Sequence, residues 1–177
     1  MEGSEWPRGC IQVYTGDGKG KTTAALGLAL RAAGAGLRVF IAQFIKGMHY
    51  SKLVALERFS DLITIRQYGR GCFIRGEPSE EDRRAAVEGL AQAAAVISSG
   101  ECDIAILDEA NVAVHFGLFT IDELLDAIAS RPDGVEIVVT GRRAHRRLLE
   151  IADLVTEMRE VKHYYTEGLE ARRGIES

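Results

Sequence analysis

The stretch IQVYTGDGKGKTT, residues 11–23, decides how the rest of the chain is interpreted. It opens with Ile11, Val13 and Tyr14, whose β-branched and aromatic side chains favour a buried strand over a helix. A glycine-rich turn follows, and residues 24–33 then have the Ala- and Leu-rich composition of a helix. A strand, a glycine-rich turn and a helix in this order form the context of a phosphate-binding loop.

The turn also supplies the chemical groups that such a loop uses. Glycines let the backbone wrap a phosphate with its amides pointing inward, and the start of the helix adds a partial positive charge. Lys21 can neutralise the outer phosphates, and the Thr22 hydroxyl can take a Mg²⁺ site. Thr15 stands where the usual Walker A pattern has its first glycine, so Gly16 and Gly18 must provide the flexibility. An ordinary glycine-rich turn is the alternative, and Gly-Lys-Thr in this context argues against it. We therefore expect a triphosphate on Thr15, Gly16, Asp17, Gly18, Lys19, Gly20, Lys21, Thr22 and Thr23.

Size, composition and charge exclude several functional classes. The chain has 177 residues, 46% of them hydrophobic and 27% charged, which is an ordinary globular composition. Its net charge of −4 gives no electrostatic footprint for nucleic acid or an anionic membrane. No apolar run approaches the roughly 20 residues that span a bilayer, and residues 1–9 lack the features of a signal peptide. We expect a cytoplasmic protein with no nucleic acid or membrane partner, and a flexible segment at residues 1–8.

Predicted strands and helices alternate along the chain. Further strands are expected at residues 37–44, 62–67, 103–107, 135–140 and 154–158. Helices are expected at residues 22–33, 51–59, 79–98, 120–129 and 144–152, with a further helical turn around 167–172. The first helix should bury Leu26, Ala29, Leu30 and Ala33, and Thr120 with Glu123 forms a capping box. This alternation predicts one α/β domain over residues 1–177, with a P-loop NTPase-like parallel sheet and helices on both faces.

The remaining candidates for chemistry follow the ends of predicted strands. Four apolar residues run into Asp108 and Glu109, which is the Walker B arrangement for a Mg²⁺ site shared with Thr22. Lys46 follows a second strand, and Arg142 and Arg143 follow a third, at the edge where open α/β sheets place their ligands. Lys46 and one of the two arginines can therefore contact phosphate. For each of these residues the alternative is an ordinary loop side chain without a ligand.

Residues 68–78, YGRGCFIRGEP, form a glycine-rich loop with an unusual apolar cluster. The cluster consists of Cys72, Phe73 and Ile74. These side chains must pack on something, and spacing alone does not decide between the protein core and an apolar ligand face.

Taken in order, these segments resemble the ATP:corrinoid adenosyltransferases of the P-loop type. That family contains the cob(I)alamin and cob(I)yrinic acid a,c-diamide adenosyltransferases. The resemblance extends over nearly the whole chain from Gly9 and is carried by residues 14–23, 43–47, 107–109, 140–142, 152–153, 162–163 and 174–176. Lys19, the QFIKG motif at 43–47 and the Gly-Ile-Glu at 174–176 are not general features of phosphate-binding loops.

The resemblance implies a reaction at carbon. A Co(I) corrinoid attacks the 5′-carbon of ATP and displaces tripolyphosphate, so no general base is needed. Its substrates are then ATP and a corrinoid, and Mg²⁺ is its cofactor. The implied catalytic residues are Lys21, Thr22 and Glu109, with Lys19 beside the leaving triphosphate and Asp108 beside Glu109 at the Mg²⁺.

The resemblance also implies further contacts and partners. Many members shield the lower corrinoid face with a Gly-Phe-Thr-Trp-like segment, for which this chain has Gly71, Cys72, Phe73 and Ile74. We therefore expect Cys72, Phe73 and Ile74 to contact the corrinoid, although the tryptophan is absent. An electron donor for Co(II), a homodimer and a tail at 159–177 near the active site complete the expectation. Asp17 replaces the asparagine that the family usually has in the loop.

Two other classes of function stay open at this point. A P-loop ATPase or small-molecule kinase would release ADP and phosphate or a phosphorylated product. A binding protein would use ATP only to set its conformation.

Overall fold

The computed structural model describes residues 8–45, 55–69 and 76–175. In these ranges the strands are β1 Ile11–Thr15, β2 Val39–Phe44, β3 Ile63–Tyr68, β4 Ile104–Asp108, β5 Glu136–Thr140 and β6 Leu154–Glu157. They form one six-stranded sheet in the order β3-β2-β4-β5-β1-β6, and every neighbouring pair is parallel. The predicted P-loop NTPase-like parallel sheet is confirmed.

The helices of the same ranges connect the strands. They are α1 Lys21–Gly34, α2 Glu80–Ser99, α3 Ala110–His115, α4 Ile121–Ala129 and α5 Arg146–Ile151, with 3₁₀ turns at Glu57–Phe59 and Tyr164–Glu167. Side chain and backbone cap each other at Ser79 with Asp82 and at Thr120 with Glu123, so both helices start where the sequence predicts.

The two faces of the sheet are covered by different helices. Alternate residues of each strand point to opposite faces, so Phe40, Ala42 and Phe44 join a core with α2, α4 and α5. Val39 and Ile41 join a second core that contains the alanines of α1. Helices therefore lie on both faces, as expected, and the central strands β2, β4 and β5 are apolar apart from Gln43, Asp108, Glu136 and Thr140.

Two details of the sequence prediction are wrong. Leu30 is 44% exposed, and α1 instead buries Ala25, Ala29, Ala32 and Ala33. In a helix so rich in alanine, composition does not show which face is inward, and the small side chains let α1 approach the sheet closely. The helical turn of the tail lies at Tyr164–Glu167, before the expected 167–172.

Candidate active site

The functional candidates in the described residues gather at the carboxyl edge of the sheet. Thr15, Asp108 and Thr140 end β1, β4 and β5, and Gln43 is the next-to-last residue of β2. Since the strands are parallel, their carboxyl ends meet on one side of the molecule. The phosphate-binding loop leaves β1 at this same edge and leads into α1.

The loop is folded around the amine of Lys21. Lys21 is 8% exposed, and its Nζ donates to the carbonyl oxygens of Gly16 and Gly18, each at 2.7 Å. The backbone turns with positive φ at Gly16 (90°) and Gly20 (122°), a conformation that glycine adopts easily and that strains residues with a side chain. The positive charge that a triphosphate requires is thus already held inside the loop.

The chain after β6 packs directly on the loop. The amide of Gly18 donates to the carbonyl of Met158 at 2.7 Å. A Cβ atom at Gly16 or Gly18 would stand 2.4 or 2.7 Å from that same carbonyl oxygen, which is too close for any side chain. Besides their predicted contact with phosphate, these two glycines are therefore required because another segment of backbone passes close to them.

Lys19 faces the tail of the chain. Its Nζ donates to the hydroxyl of Tyr164 at 2.9 Å and lies 3.5 Å from the carbonyl oxygen of Ile175. The guanidinium of Arg172 sits over the Tyr164 ring, 5.0 Å from its centroid. Residues of the tail thus contact a lysine of the phosphate-binding loop.

Asp108 is the centre of a buried polar network. It is 1% exposed and accepts hydrogen bonds from Thr22 Oγ1 at 2.8 Å, Thr140 Oγ1 at 2.7 Å and Gln43 Nε2 at 2.9 Å. Gln43 in turn accepts from Gln67 Nε2 at 3.2 Å. Buried carboxylates are tolerated when hydrogen bonds compensate their lost hydration. The network joins the start of α1 to the ends of β4, β5 and β2.

Glu109, the next residue after Asp108, has a strained backbone. Its φ is +63°, in the left-handed region, and its amide donates to Thr140 Oγ1 at 3.0 Å. Ile45 and Arg143, with φ of +70° and +58°, are the other residues besides glycine with positive φ in the described ranges. All three follow the ends of central strands, and such strain concentrates at functional sites.

The turn after β5 is held from the β4 side. Asn111 is 1% exposed, and its Nδ2 donates to the carbonyl of Gly141 at 3.0 Å. Gly141 has a φ of +130°, and a Cβ there would come within 3.0 Å of Asn111. The chain then passes Arg142, which is exposed, and Ala144, whose amide donates to Thr15 Oγ1 at 3.3 Å.

The sequence-predicted residues therefore fall into two groups. Residues 15–23, Asp108 and Glu109 lie together at one edge, with Thr23 and Asp17 exposed and Arg142 exposed on the adjacent turn. Lys46, Cys72, Phe73 and Ile74 lie outside the described residues.

Sequence reasoning assigned no individual role to Gln43, Thr140 or Asn111. For Gln43 a signal exists, because an amide stands inside the otherwise apolar strand Val39–Phe44. A polar residue at such a position needs a partner, and Asp108 is that partner. The roles of Thr140 and Asn111 depend on strand neighbours that the sequence does not reveal.

The donor atoms at this edge fit Mg²⁺. Asp108, Glu109 and Thr22 offer carboxylate and hydroxyl oxygens, and Mg²⁺ is commonly held by one or two carboxylates together with water and substrate phosphates. Both oxygens of Asp108 already accept hydrogen bonds. A contact from Asp108 through water fits this arrangement better than direct ligation.

Within residues 8–45, 55–69 and 76–175, no helix has the length and apolar character needed to cross a membrane.

Comparison with known proteins gives one consistent family. The model of the family described as ATP:corrinoid adenosyltransferase BtuR/CobO/CobP matches residues 7–177. A corrinoid adenosyltransferase of Pseudomonas aeruginosa is 35% identical over 96% of this chain and 84% of its own. One from Escherichia coli K12 is 36% identical over 96% and 86%, and corrinoid adenosyltransferase CobA of Salmonella typhimurium LT2 is 35% identical over the same shares. With a match that runs through the phosphate-binding loop, the strand ends and the tail, the chain belongs to the ATP:corrinoid adenosyltransferase family.

Proposed function

We propose that this protein transfers the 5′-deoxyadenosyl group of ATP to the Co(I) centre of a corrinoid and releases tripolyphosphate. The family match over residues 7–177 carries the proposal. The position of Lys21 and Thr22 next to each other at one sheet edge supports it, because a leaving triphosphate needs positive charge and hydrogen-bond donors at one place.

The reaction balances without an acid or base. The electron pair of Co(I) forms the cobalt–carbon bond, while the bond from the 5′-carbon to the triphosphate oxygen breaks and its electron pair leaves with the triphosphate. No proton moves in this step. The protein must hold the 5′-carbon in line with cobalt and stabilise the charge on the leaving group.

Residues 15–23 are proposed as the ATP site, with Lys21 as its main charge. In the structure Lys21 holds the carbonyls of Gly16 and Gly18, and Lys19 contacts Tyr164. Turning these amines towards phosphate therefore requires a local rearrangement of the loop. Mg²⁺, when bound beside Thr22, Asp108 and Glu109, supplies further positive charge to the triphosphate.

The remaining assignments rest on the resemblance and are part of the proposal. Lys46 and Arg142 would contact the triphosphate. Cys72, Phe73 and Ile74 would contact the corrinoid. An electron donor for Co(II), a homodimeric state and a cytoplasmic location complete the proposal.

One assay tests the reaction. The protein is incubated with ATP, Mg²⁺, a chemical reductant and a corrinoid; the absorption spectrum is followed and the phosphate products are separated. We expect adenosylated corrinoid and an equal amount of tripolyphosphate. Stoichiometric ADP without adenosylated corrinoid would replace the proposal with the kinase or ATPase alternative. Omitting the corrinoid is the control for background hydrolysis.

A further inference from the structure

Thr140 occupies a special position between the two halves of the candidate site. It ends β5, which lies between β4 with Asp108 and β1 with the phosphate-binding loop. It is fully buried, and it is in register with Tyr14 of β1. A change at Thr140 therefore reaches both the carboxylates and the loop.

The hydroxyl of Thr140 makes two directed hydrogen bonds. An ionised carboxylate only accepts, so the hydroxyl proton points to Asp108 Oδ1 at 2.7 Å. A lone pair of the same oxygen accepts the amide of Glu109 at 3.0 Å. One hydroxyl thus fixes both the Asp108 side chain and the left-handed backbone of Glu109.

The same carboxylate oxygen also anchors the start of α1. Asp108 Oδ1 accepts the hydroxyl of Thr22 at 2.8 Å, alongside that of Thr140. If Thr140 is lost as a donor, Asp108 can reorient towards Thr22 or Gln43, and the Glu109 amide loses its acceptor. The carboxylates of Asp108 and Glu109 would then shift relative to Thr22.

We propose that Thr140 is a positioning residue that holds Asp108 and Glu109 where Mg²⁺ and the triphosphate meet. The inference rests on the proposed function for the identity of the metal and nucleotide. It adds a residue that acts through the carboxylates and does not itself touch substrate.

The experiment compares Thr140→Val, which keeps the shape and removes the hydroxyl, with Thr140→Ser, which keeps the hydroxyl. ATP binding to each full-length variant is measured by calorimetry over a Mg²⁺ series without corrinoid, together with the melting temperature. We expect Thr140→Val to need about tenfold or more Mg²⁺ for half-maximal ATP binding. Loss of a hydrogen-bond partner of a metal-binding carboxylate commonly lowers metal affinity about 10–100-fold. Thr140→Ser should titrate close to the unmodified protein.

Thr156→Val is the matched control, because Thr156 is exposed and lies in register with Tyr14 on the other side of β1. It should leave the Mg²⁺ midpoint unchanged. Thr140→Cys, nearly isosteric and a weak donor, replaces Thr140→Val if that variant does not fold, and should show an intermediate shift.

Three outcomes would overturn the inference. The first is a lower melting temperature of Thr140→Val with an unchanged Mg²⁺ midpoint, which indicates packing alone. The second is an equal shift in Thr140→Ser, which indicates the methyl group. The third is ATP binding by the unmodified protein that does not depend on Mg²⁺. A protein that binds ATP with Mg²⁺ but forms no adenosylated corrinoid contradicts the proposed function and leaves this inference standing.

Discussion

The two ends of strands β2 and β4 are tied together in contrasting ways. At the amino end, Arg38 pairs with Asp103 at 3.0 Å, with side chains 51% and 31% exposed. At the carboxyl end, the amide of Gln43 pairs with Asp108, and both residues are 1% exposed. The first contact is a charged pair in water, and the second is a buried polar bond.

Other carboxylates extend the contrast. At the amino edge, Asp103, Glu136 and Asp153 accept the backbone amides of Arg38, Cys10 and Ile11 at 2.7, 2.6 and 2.8 Å. At the carboxyl edge, Asp108 accepts from side chains, and the residues of positive φ outside glycine that the described chain contains all follow strand ends there. Carboxylates at the amino edge accept backbone amides beside the starts of strands. Asp108 at the carboxyl edge instead accepts from side chains of three other elements, where we propose the Mg²⁺ site.

The largest expected effect is that of Lys21→Ala. It should lower the rate of adenosylation about 10²–10³-fold, because one preorganised partner of a developing anion is removed. The measurement is turnover at saturating ATP. Lys19→Ala is the control variant and should cost less, since Lys19 is exposed and contacts the tail. Near-normal turnover of Lys21→Ala would show that the loop is not part of the active site, and the functional difference between the two edges would then be unsupported.

Glu109→Gln should lower turnover about 10–100-fold by weakening the Mg²⁺ site. If the carboxylate only organises the metal, raising the Mg²⁺ concentration recovers part of the activity. The recovery is measured as turnover against Mg²⁺ concentration. A group that activates water would show no such rescue, and complete indifference to Mg²⁺ would contradict the metal role.

Asp108→Asn tests the contrast between the two edges by its effect on the stability of the fold. An asparagine presents donor hydrogens where Asp108 now accepts three bonds, so at least one buried partner is left unpaired. We expect a loss of about 1–3 kcal/mol in the free energy of unfolding, measured by urea denaturation, together with weaker ATP binding. An unchanged unfolding free energy would mean that water satisfies the site and that it is not a closed network.

Asp103→Asn is the matched change at the amino edge and should have the smallest effect. Loss of the exposed pair is expected to cost about 0.2–1 kcal/mol and to leave ATP binding unchanged. Its hydrogen bond and charge contact with Arg38 lower the pKa of Asp103. A lowered pKa contributes stability at neutral pH that is lost on acidification, so the difference between the two proteins should shrink below about pH 4. A difference that is independent of pH would contradict the electrostatic explanation.

Much of this site is readable because its residues are consecutive. The phosphate-binding loop and the Asp108–Glu109 pair each occupy one short segment whose neighbours indicate a strand end. Thr140 is different, since its role depends on β5 lying next to β4, and strand order is not written in local composition. The sequence wrongly predicts Leu30 to face inward, because a helix rich in alanine offers no clear apolar face.

The contact of Gly18 with Met158 was equally hidden. The sequence explains the loop glycines by phosphate alone, whereas the structure adds a backbone that arrives from the far end of the domain. Contacts between residues so distant along the chain need the folded topology. Among the arguments from sequence, only the family resemblance, which includes residues of the tail, predicts a tail near the active site.

The position of β1 between β5 and β6 has a consequence for how the protein folds during its synthesis on the ribosome. The first strand is made early, yet both of its neighbours in the sheet come from the last part of the described chain. Lys19 and Tyr164, which meet across the loop, are 145 residues apart. Loop closure over such separations makes folding slow. The phosphate-binding loop thus gains its final shape only after nearly the whole domain has been synthesised. A nascent chain that ends before β6 lacks the Met158 carbonyl that accepts the amide of Gly18.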